Sequence, residues 1–372
     1  MSILLSTFYF FYFSIVGVYI IFLPKVLSTI GYSATEIGVV FAAGPMVRFL
    51  LPFAFIKGLQ LNIKIFNIAL LFMLFSSISF YFTNTNFISL LLSNIALGIG
   101  LSIVLPYIEV IALEEIGKQK YGKVRLFGSI GFILVALVLV KYLNSSDIAF
   151  IFLMSLAFFT SIFAFSIAKT SHHIQTKKEE IPTNDIDILK DWKLWLGLTL
   201  MQVSFGSFYN FFTIYETDFG ISLDTTIYLW SFGVLAEIIM LYFQGKLLSK
   251  NLLSILQFSL FLTTIRWFLV FLYPQNLSIL FFSQAIHAFS FALFHSSAIV
   301  YLFGLYKHRS LAQQFFLGIT YGFGGFLGAL LAGYVYEHTP EYLFLSSSFL
   351  TLLSLYFITL WKQSIVHNQI NS

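Results

Sequence analysis

The sequence predicts an all-α membrane protein with twelve spanning helices arranged as two sets of six. Three observations carry that prediction. Of the 372 residues, 59% are hydrophobic and only 10% are charged, whereas a soluble domain carries about 25% charged residues. So few charges could not cover a water-facing surface, while a lipid-facing one needs none. Second, twelve mostly apolar runs follow one another along the chain, each near the roughly 20 residues that cross a bilayer as a helix. Third, lysine and arginine collect on one side of the alternating loops that those runs create.

The runs cover 7–28, 35–56, 63–82, 87–111, 125–143, 147–168, 194–216, 225–245, 252–272, 277–303, 311–335 and 342–361. The first, from about Thr7 to Leu27, is longer than a signal-peptide core and has no small-residue cleavage site after it, so a retained helix is expected. A very short hairpin at Asn144 to Asp147 separates the fifth and sixth runs. Barrel strands, at about 9–11 residues, are too short to account for these segments. Pro45 and Pro52 in the second helix and Pro106 in the fourth are expected to bend them. In the eleventh run, Gly318 and Gly322 are four apart, as are Gly324 and Gly328, with Gly325 and Gly333 nearby. Small residues at that spacing let two backbones approach closely. Gly98, Gly100, Gly128 and Gly131 can serve the same end, either as static packing or as surfaces that slide.

Orientation follows from charge. With both termini cytoplasmic, every lysine and arginine outside the helices falls on the cytoplasmic side except Lys25 and Lys141, while Arg48 and Arg266 stay within helices. The reverse topology would violate the positive-inside rule. The longest polar segment, 169–193, contains KKEE, a proline and several aspartates, which predicts a flexible cytoplasmic linker. It divides the chain into an N-terminal six-helix bundle, 1–168, and a C-terminal six-helix bundle, 194–372. Two such halves suit a transporter with a midplane site, although no strong internal repeat is visible.

Other functions lose ground on composition. There is no cysteine, hence no disulfide, thiolate nucleophile or cysteine metal site. The net charge of +4 is modest, and no basic, aromatic-interleaved patch points to nucleic acid. No hydrolytic triad is arranged credibly, so neither an enzyme nor a cofactor is expected.

Ionisable groups inside spans are rare and usually face a cavity or a partner. Glu237, in WSFGVLAEIIMLYF, lies near the middle of the eighth helix. A carboxyl group there favours its neutral form unless a cation pairs with it, which suits a group that binds and releases a proton; a structural ion pair is the plainer alternative. Arg266, in FLTTIRWFLV of the ninth helix, can hold a carboxylate of a solute or of Glu237, or else snorkel to the headgroups. His287 and His295 on the tenth helix are eight residues apart, about 12 Å of rise, and cannot chelate one ion together. His287 is nearer the midplane and can shuttle protons or bond a solute. Glu109, in VLPYIEVIALEE, and Arg125, in YGKVRLFGSIGF, are brought near each other if their helices are antiparallel neighbours. Arg48 can pair with solute or with a neighbouring helix.

On YGKVRLFGSIGF (121–132), VLAEII around Glu237, IRWF (265–268) and the pattern at His287 and His295, the chain resembles the phenylpropionate-permease-like branch of the major facilitator superfamily, related to lactose permease and nucleoside–proton symporters. The resemblance runs from IFLP (21–24) to the last helix. It implies the major facilitator fold, a cavity between two bundles that opens to either side in turn, uptake driven by a proton gradient, and the bacterial inner membrane. From the lactose-permease pattern it implies that Glu109 and Arg125 hold the solute and that Phe132 replaces a sugar-stacking tryptophan. Glu237, Arg266 and His287 match the acid, arginine and histidine of helices 8, 9 and 10. Two departures stand out. Lactose permease has a proton-binding glutamate three residues after that histidine, and Ser290 stands there here; a hydroxyl does not carry the proton. The loop between helices 2 and 3 reads KGLQLNIK and lacks the familiar acid.

The resulting expectation is a secondary active transporter performing proton-coupled uptake of a small organic solute by alternating access. The solute is left open between an aromatic acid such as phenylpropionate and a sugar or nucleoside. Glu109, Arg125, Phe132, Arg266, His287 and Arg48 are assigned to the solute, and Glu237 and His287 to the proton. The partners are the solute, protons and membrane lipid, and a monomer suffices. An exporter of small organic compounds is the first alternative. A sensor or structural membrane protein is the second, against which the short loops weigh.

Overall fold

A computed structural model describes residues 1–56, 61–171 and 186–370, and helix is the repeating element throughout. In chain order the long helices are α1 (Ser2–Thr29), α2 (Ala34–Ile56), α3 (Ile63–Thr83), α4 (Phe87–Gly117), α5 (Lys120–Tyr142) and α6 (Ser146–Thr170). They continue as α7 (Trp192–Asp218), α8 (Leu223–Phe243), α9 (Leu252–Leu272), α10 (Leu277–Leu305), α11 (Leu311–His338) and α12 (Pro340–Ile365).

Among the described residues, eleven of these are long and apolar enough to cross a membrane, and α7 is not one of them. The remaining expected run, 194–216, falls short on this measure of apolarity, and the reason is physical. The 194–216 run does form a helix of 27 residues. That helix buries polar groups, Gln202, Ser204, Ser207, Thr213 and Glu216, along with its apolar ones. A helix wrapped by protein has no lipid-facing side to keep apolar, so its mean hydropathy falls.

The chain forms two compact units, Met1–Glu179 and Glu180–Ser372. Residues 172–185 of the expected linker 169–193 lie outside the described residues, as do 57–60 of the KGLQLNIK loop. In the first unit α1 packs on α4, α5 and α6, and α3 packs on α4 and α6. Glycines permit the closest approaches. A Cβ on Gly131 of α5 would overlap the Phe10 carbonyl of α1, and one on Gly98 of α4 would lie 3.0 Å from Gly44 Cα of α2. In the second unit α7 packs on α11 and α12, α9 on α10 and α12, and α8 on α10. Gly206 of α7 and Gly328 of α11 meet backbone to backbone, and a Cβ on Gly328 would lie 2.6 Å from the Val203 carbonyl oxygen.

Helix ends are closed by short polar side chains. Asn62, Asn86, Ser222, Asn251 and Asn276 each accept a backbone N–H at the start of a helix, each cap contributing about 1 kcal/mol. Ser33 and Glu36 form a reciprocal capping box at α2. Gly117, at φ 70° and ψ 163°, turns the chain from α4 into α5, a conformation that only glycine adopts at little cost. Several buried hydroxyls are satisfied within their own helices: Thr160, Ser161, Thr199, Thr263 and Thr351 each donate to the carbonyl four residues back. That is the arrangement a medium without water demands. The outward rows carry large apolar side chains, among them Phe75, Phe82, Phe243 and Phe349, all exposed, which lipid solvates.

At the start of α7, Tyr306 donates to Asp191 Oδ2 at 2.6 Å and accepts from Trp195 Nε1 at 3.1 Å. Burial, and then the bond to the Asp191 carboxylate, push the Tyr306 hydroxyl well above its ordinary range. Three stretches widen into π-helix: Val18–Phe22, Phe289–Leu293 and Phe316–Gly324. Pro24 explains the first, since it cannot donate back into the ladder. The other two lie in α10 and α11, and such turns are frequent at functional sites.

Candidate functional site

Each unit holds a polar cluster of its own. In the first, α4 supplies Glu109 and α5 supplies Tyr121 and Arg125. Arg125 Nε lies 3.4 Å from Glu109 Oε1, and the Tyr121 hydroxyl donates to the same oxygen at 3.0 Å. The antiparallel return through Gly117 therefore brings the acid and the base together. Both side chains are 31% exposed, so the pair is accessible and its net stabilisation is small.

The motif YGKVRLFGSIGF gives this cluster its shape. Arg125 and Gly128 are three apart and share a helix face. A Cβ on Gly128 would come within 2.6 Å of the Phe13 ring. Its absence lets Phe13 of α1 lie against α5, with the Arg125 guanidinium 3.9 Å from the ring centroid. Tyr9 is the second ring, at 5.3 Å. A cation over an aromatic face is worth roughly 0.5–2 kcal/mol, depending on desolvation. Phe13 is thus the ring that lies over the Arg125 guanidinium. Phe132, the residue assigned by resemblance, is half-buried, with its backbone against Gly17 of α1. It lies two turns beyond Arg125 on nearly the same face of α5.

Arg48 of α2 is exposed. It stays within electrostatic range of the Tyr12 and Tyr19 hydroxyls, which bond to the Leu101 carbonyl and to Asn94 Oδ1, each at 2.9 Å.

The second cluster is built from α7, α8, α9 and α10. Arg266 is 0% exposed, so it does not snorkel to a surface. Its Nη1 lies 3.0 Å from His287 Nδ1, and its Nη2 donates to Gln284 Oε1 at 3.2 Å. The guanidinium lies 4.4 Å from the Phe208 ring and 4.2 Å from the Trp267 ring. Gly233 of α8 makes room, because a Cβ there would lie 2.9 Å from Gln284 Oε1.

Donor and acceptor chemistry fixes the imidazole. Arginine can only donate, so Nδ1 of His287 accepts, and the ring proton resides on Nε2. That nitrogen faces Glu237 Oε2 at 3.8 Å, beyond hydrogen-bond length. Arg266, His287 and Glu237 therefore form a line, with the histidine neutral while Arg266 holds it. His287 thus links Arg266 to Glu237 in this arrangement. Arg266 Nε and Gln284 Nε2 have no hydrogen-bond partner among the described residues, leaving donors unspent.

Ser290 is 1% exposed, donates to the Ile286 carbonyl and lies 2.9 Å from Thr263 Oγ1 of α9. It joins two helices. His295 lies one stacked ring further on: Phe291 stacks on His287 at 5.7 Å and on His295 at 6.2 Å, and His295 Nδ1 lies 2.6 Å from the Tyr321 hydroxyl.

Sequence reasoning missed Gln284, Tyr121, Phe13 and Glu216. It weighed charged and histidine side chains, whereas Gln284 and Tyr121 are neutral and act through position. The Gln-x-x-His spacing on α10 was the available signal, since residues three apart share a face.

Membrane-length helices with ionisable groups buried among them define a polytopic membrane protein. The chain belongs to the MFS_1 like family, whose model matches residues 2–346. It is similar to the probable 3-phenylpropionic acid transporter of Escherichia coli (strain K12), 25% identical over 356 residues, covering 89% of this chain and 90% of that one. An uncharacterized transporter of Bacillus subtilis (strain 168) is 25% identical over 228 residues, 59% of this chain and 56% of its own length. Among solved structures, the nucleoside transporter NupG superposes with a TM-score of 0.80 at 17% identity, covering 97% of this chain and 98% of that one; at that identity the likeness concerns the fold. These relations place the chain among secondary transporters of the major facilitator superfamily rather than among enzymes.

Proposed function

We propose that the chain couples the entry of protons to uptake of a small aromatic carboxylate by alternating access. The observation that carries this reading is the buried Arg266 guanidinium, held by neutral partners with donors to spare, flanked by Phe208 and Trp267, and leading through His287 to Glu237. A solute carboxylate meeting Arg266 gains charge-assisted, bidentate bonds. Protonated Glu237 permits solute binding, and its proton is lost after the solute is released inside. The name of the Escherichia coli relative, a probable 3-phenylpropionic acid transporter, supports an aromatic acid. In this reading α7 is the seventh span, 1–168 and 194–372 are the two six-helix bundles joined by 169–193, both termini are cytoplasmic, and one chain suffices.

A neutral sugar or nucleoside is the second reading, favoured by the accessible Glu109–Tyr121–Arg125 group, which offers acceptors and donors together. The two differ electrically. One proton with one monoanion moves no net charge, whereas one proton with a neutral solute gains about 2.3 kcal/mol per 100 mV of membrane potential.

The test is pH recording in sealed proteoliposomes of the purified protein, with 3-phenylpropionate, a nucleoside and a sugar added singly. Proton movement triggered by 3-phenylpropionate, indifferent to an imposed potential and lost in Glu237→Gln, is expected. A response to nucleoside or sugar that potential accelerates selects the second reading. Full proton-coupled accumulation by Glu237→Gln removes Glu237 from the mechanism, and silence toward every solute by folded, inserted protein sinks symport.

A further inference from the structure

The buried acid that the reading above does not use is Glu216, two residues from the end of α7. It is 0% exposed, and neither carboxyl oxygen has a hydrogen-bond partner among the described residues. Its neighbour Tyr215 is equally buried, and its hydroxyl also lacks a partner. Axially Glu216 is only about 3 Å from Asp218, which is exposed. A sealed, bare carboxyl group thus lies less than one helical turn from the surface of its unit.

Four features oppose an ionised Glu216. It has lost water without gaining donors, which for a carboxylate costs far more than for a neutral acid. It lies in the last turn of a helix, where the backbone dipole disfavours negative charge, and no basic residue occupies that turn. Its surroundings are acidic. The connections at this end of the unit, 219–222, 273–276 and 339–342, with the helix turns beside them, contain no lysine or arginine.

The titratable groups of the packed elements are, from α7 itself, Tyr215 and Asp218; from α8, Asp224 and Tyr228; beyond α9, Tyr273; from α11, Tyr334, Tyr336, Glu337 and His338; from α12, Glu341 and Tyr342. The Tyr336 hydroxyl donates to Asp218 Oδ2 at 2.8 Å, and Glu341 lies within electrostatic range of Tyr215. His338 is exposed and turns its Nδ1 to the Tyr334 carbonyl at 2.9 Å.

We propose that Glu216 is a proton-binding site of the second unit, distinct from Glu237, which holds its proton in this conformation and exchanges it through the acidic end formed by Asp218, Asp224, Glu337 and Glu341. A proton rather than a metal ion is the ligand because a hard cation needs about six oxygens. Glu216 offers only its own two, and no group of three His, Asp or Glu among the described residues could hold a metal. The inference shares with the proposed function the premise that protons enter this unit.

Infrared spectroscopy of the purified full chain in lipid, with no solute present, tests it. Wild type at neutral pH is expected to show a protonated-carboxyl band that shifts in D2O, titrates away at alkaline pH and is lost, by one carboxyl per chain, in Glu216→Gln. Glu237→Gln should retain it. Glu216→Asp, which keeps the acid, should retain a band at a shifted frequency, and it serves if Glu216→Gln fails to fold. A spectrum unchanged by both substitutions overturns the proposal. So does a band that neither exchanges in D2O nor titrates, which marks a static neutral acid, or one that sodium chloride removes and choline chloride does not, which marks a cation site. Because the band is read without solute, absence of 3-phenylpropionate transport in a chain that shows it would refute the proposed substrate and leave Glu216 standing.

Discussion

Arg266, His287 and Gln284 show how one side chain's chemistry determines another's. The guanidinium donates to two neutral acceptors, so Arg266→Lys keeps the charge but loses the planar fork. That substitution is expected to lower proton-coupled uptake at least tenfold while the protein still folds, read as initial flux in proteoliposomes against thermal midpoint. Gln284→Leu removes an acceptor from a fully buried donor and is expected to cost about 1–3 kcal/mol, visible as a lowered thermal midpoint. In the first unit Tyr121→Phe removes one bond to a part-exposed carboxylate. An expected loss of about 0.5–1.5 kcal/mol follows, and an unchanged midpoint would show that water replaces the hydroxyl.

At the scale of the helix, the close crossings are where substitutions hurt most. Gly131 and Gly206 face backbone atoms of α1 and α11 that cannot swing aside, whereas Gly304 of α10 has nothing within 4 Å of an added Cβ. Gly131→Ala and Gly206→Ala are therefore expected to destabilise by about 1–3 kcal/mol or more, while Gly304→Ala gains up to about 1 kcal/mol of helix propensity. Thermal unfolding of the three variants separates packing from propensity, and equal midpoints would contradict the crossings. Glycine pairs at spacing four were readable along α11, and Gly324 and Gly328 do face α7 through Thr199 and Val203. What spacing could not say was which helix each glycine would meet. The alternation of long apolar runs with polar connections was likewise legible, down to a ninth helix expected at 252–272 and found at Leu252–Leu272. α7 was legible as a helix and not as a mostly buried one.

For the whole molecule, absence of cysteine makes orientation directly measurable. Ser222, between α7 and α8, and Ser249, between α8 and α9, are exposed. In right-side-out vesicles, Ser222→Cys is expected to react with an impermeant thiol reagent, and Ser249→Cys only after the membrane is opened. The opposite pattern would invert the proposed topology and with it the side from which Glu216 exchanges its proton.

The sequence by itself determined that this chain is a helical membrane protein and roughly where its helices lie. Those properties are local: hydropathy, run length and the positions of glycine, proline and charge act within one helix. Tertiary structure alone decided which side chains meet. It set His287 between Arg266 and Glu237, laid Phe13 over Arg125, and sealed Glu216 without a hydrogen-bond partner among the described residues. The reason is rotational. A helix's own sequence fixes its faces, but the face that turns toward a neighbour is chosen by contacts such as Gly128 with Phe13 and Gly206 with Gly328. Those contacts join residues more than a hundred positions apart.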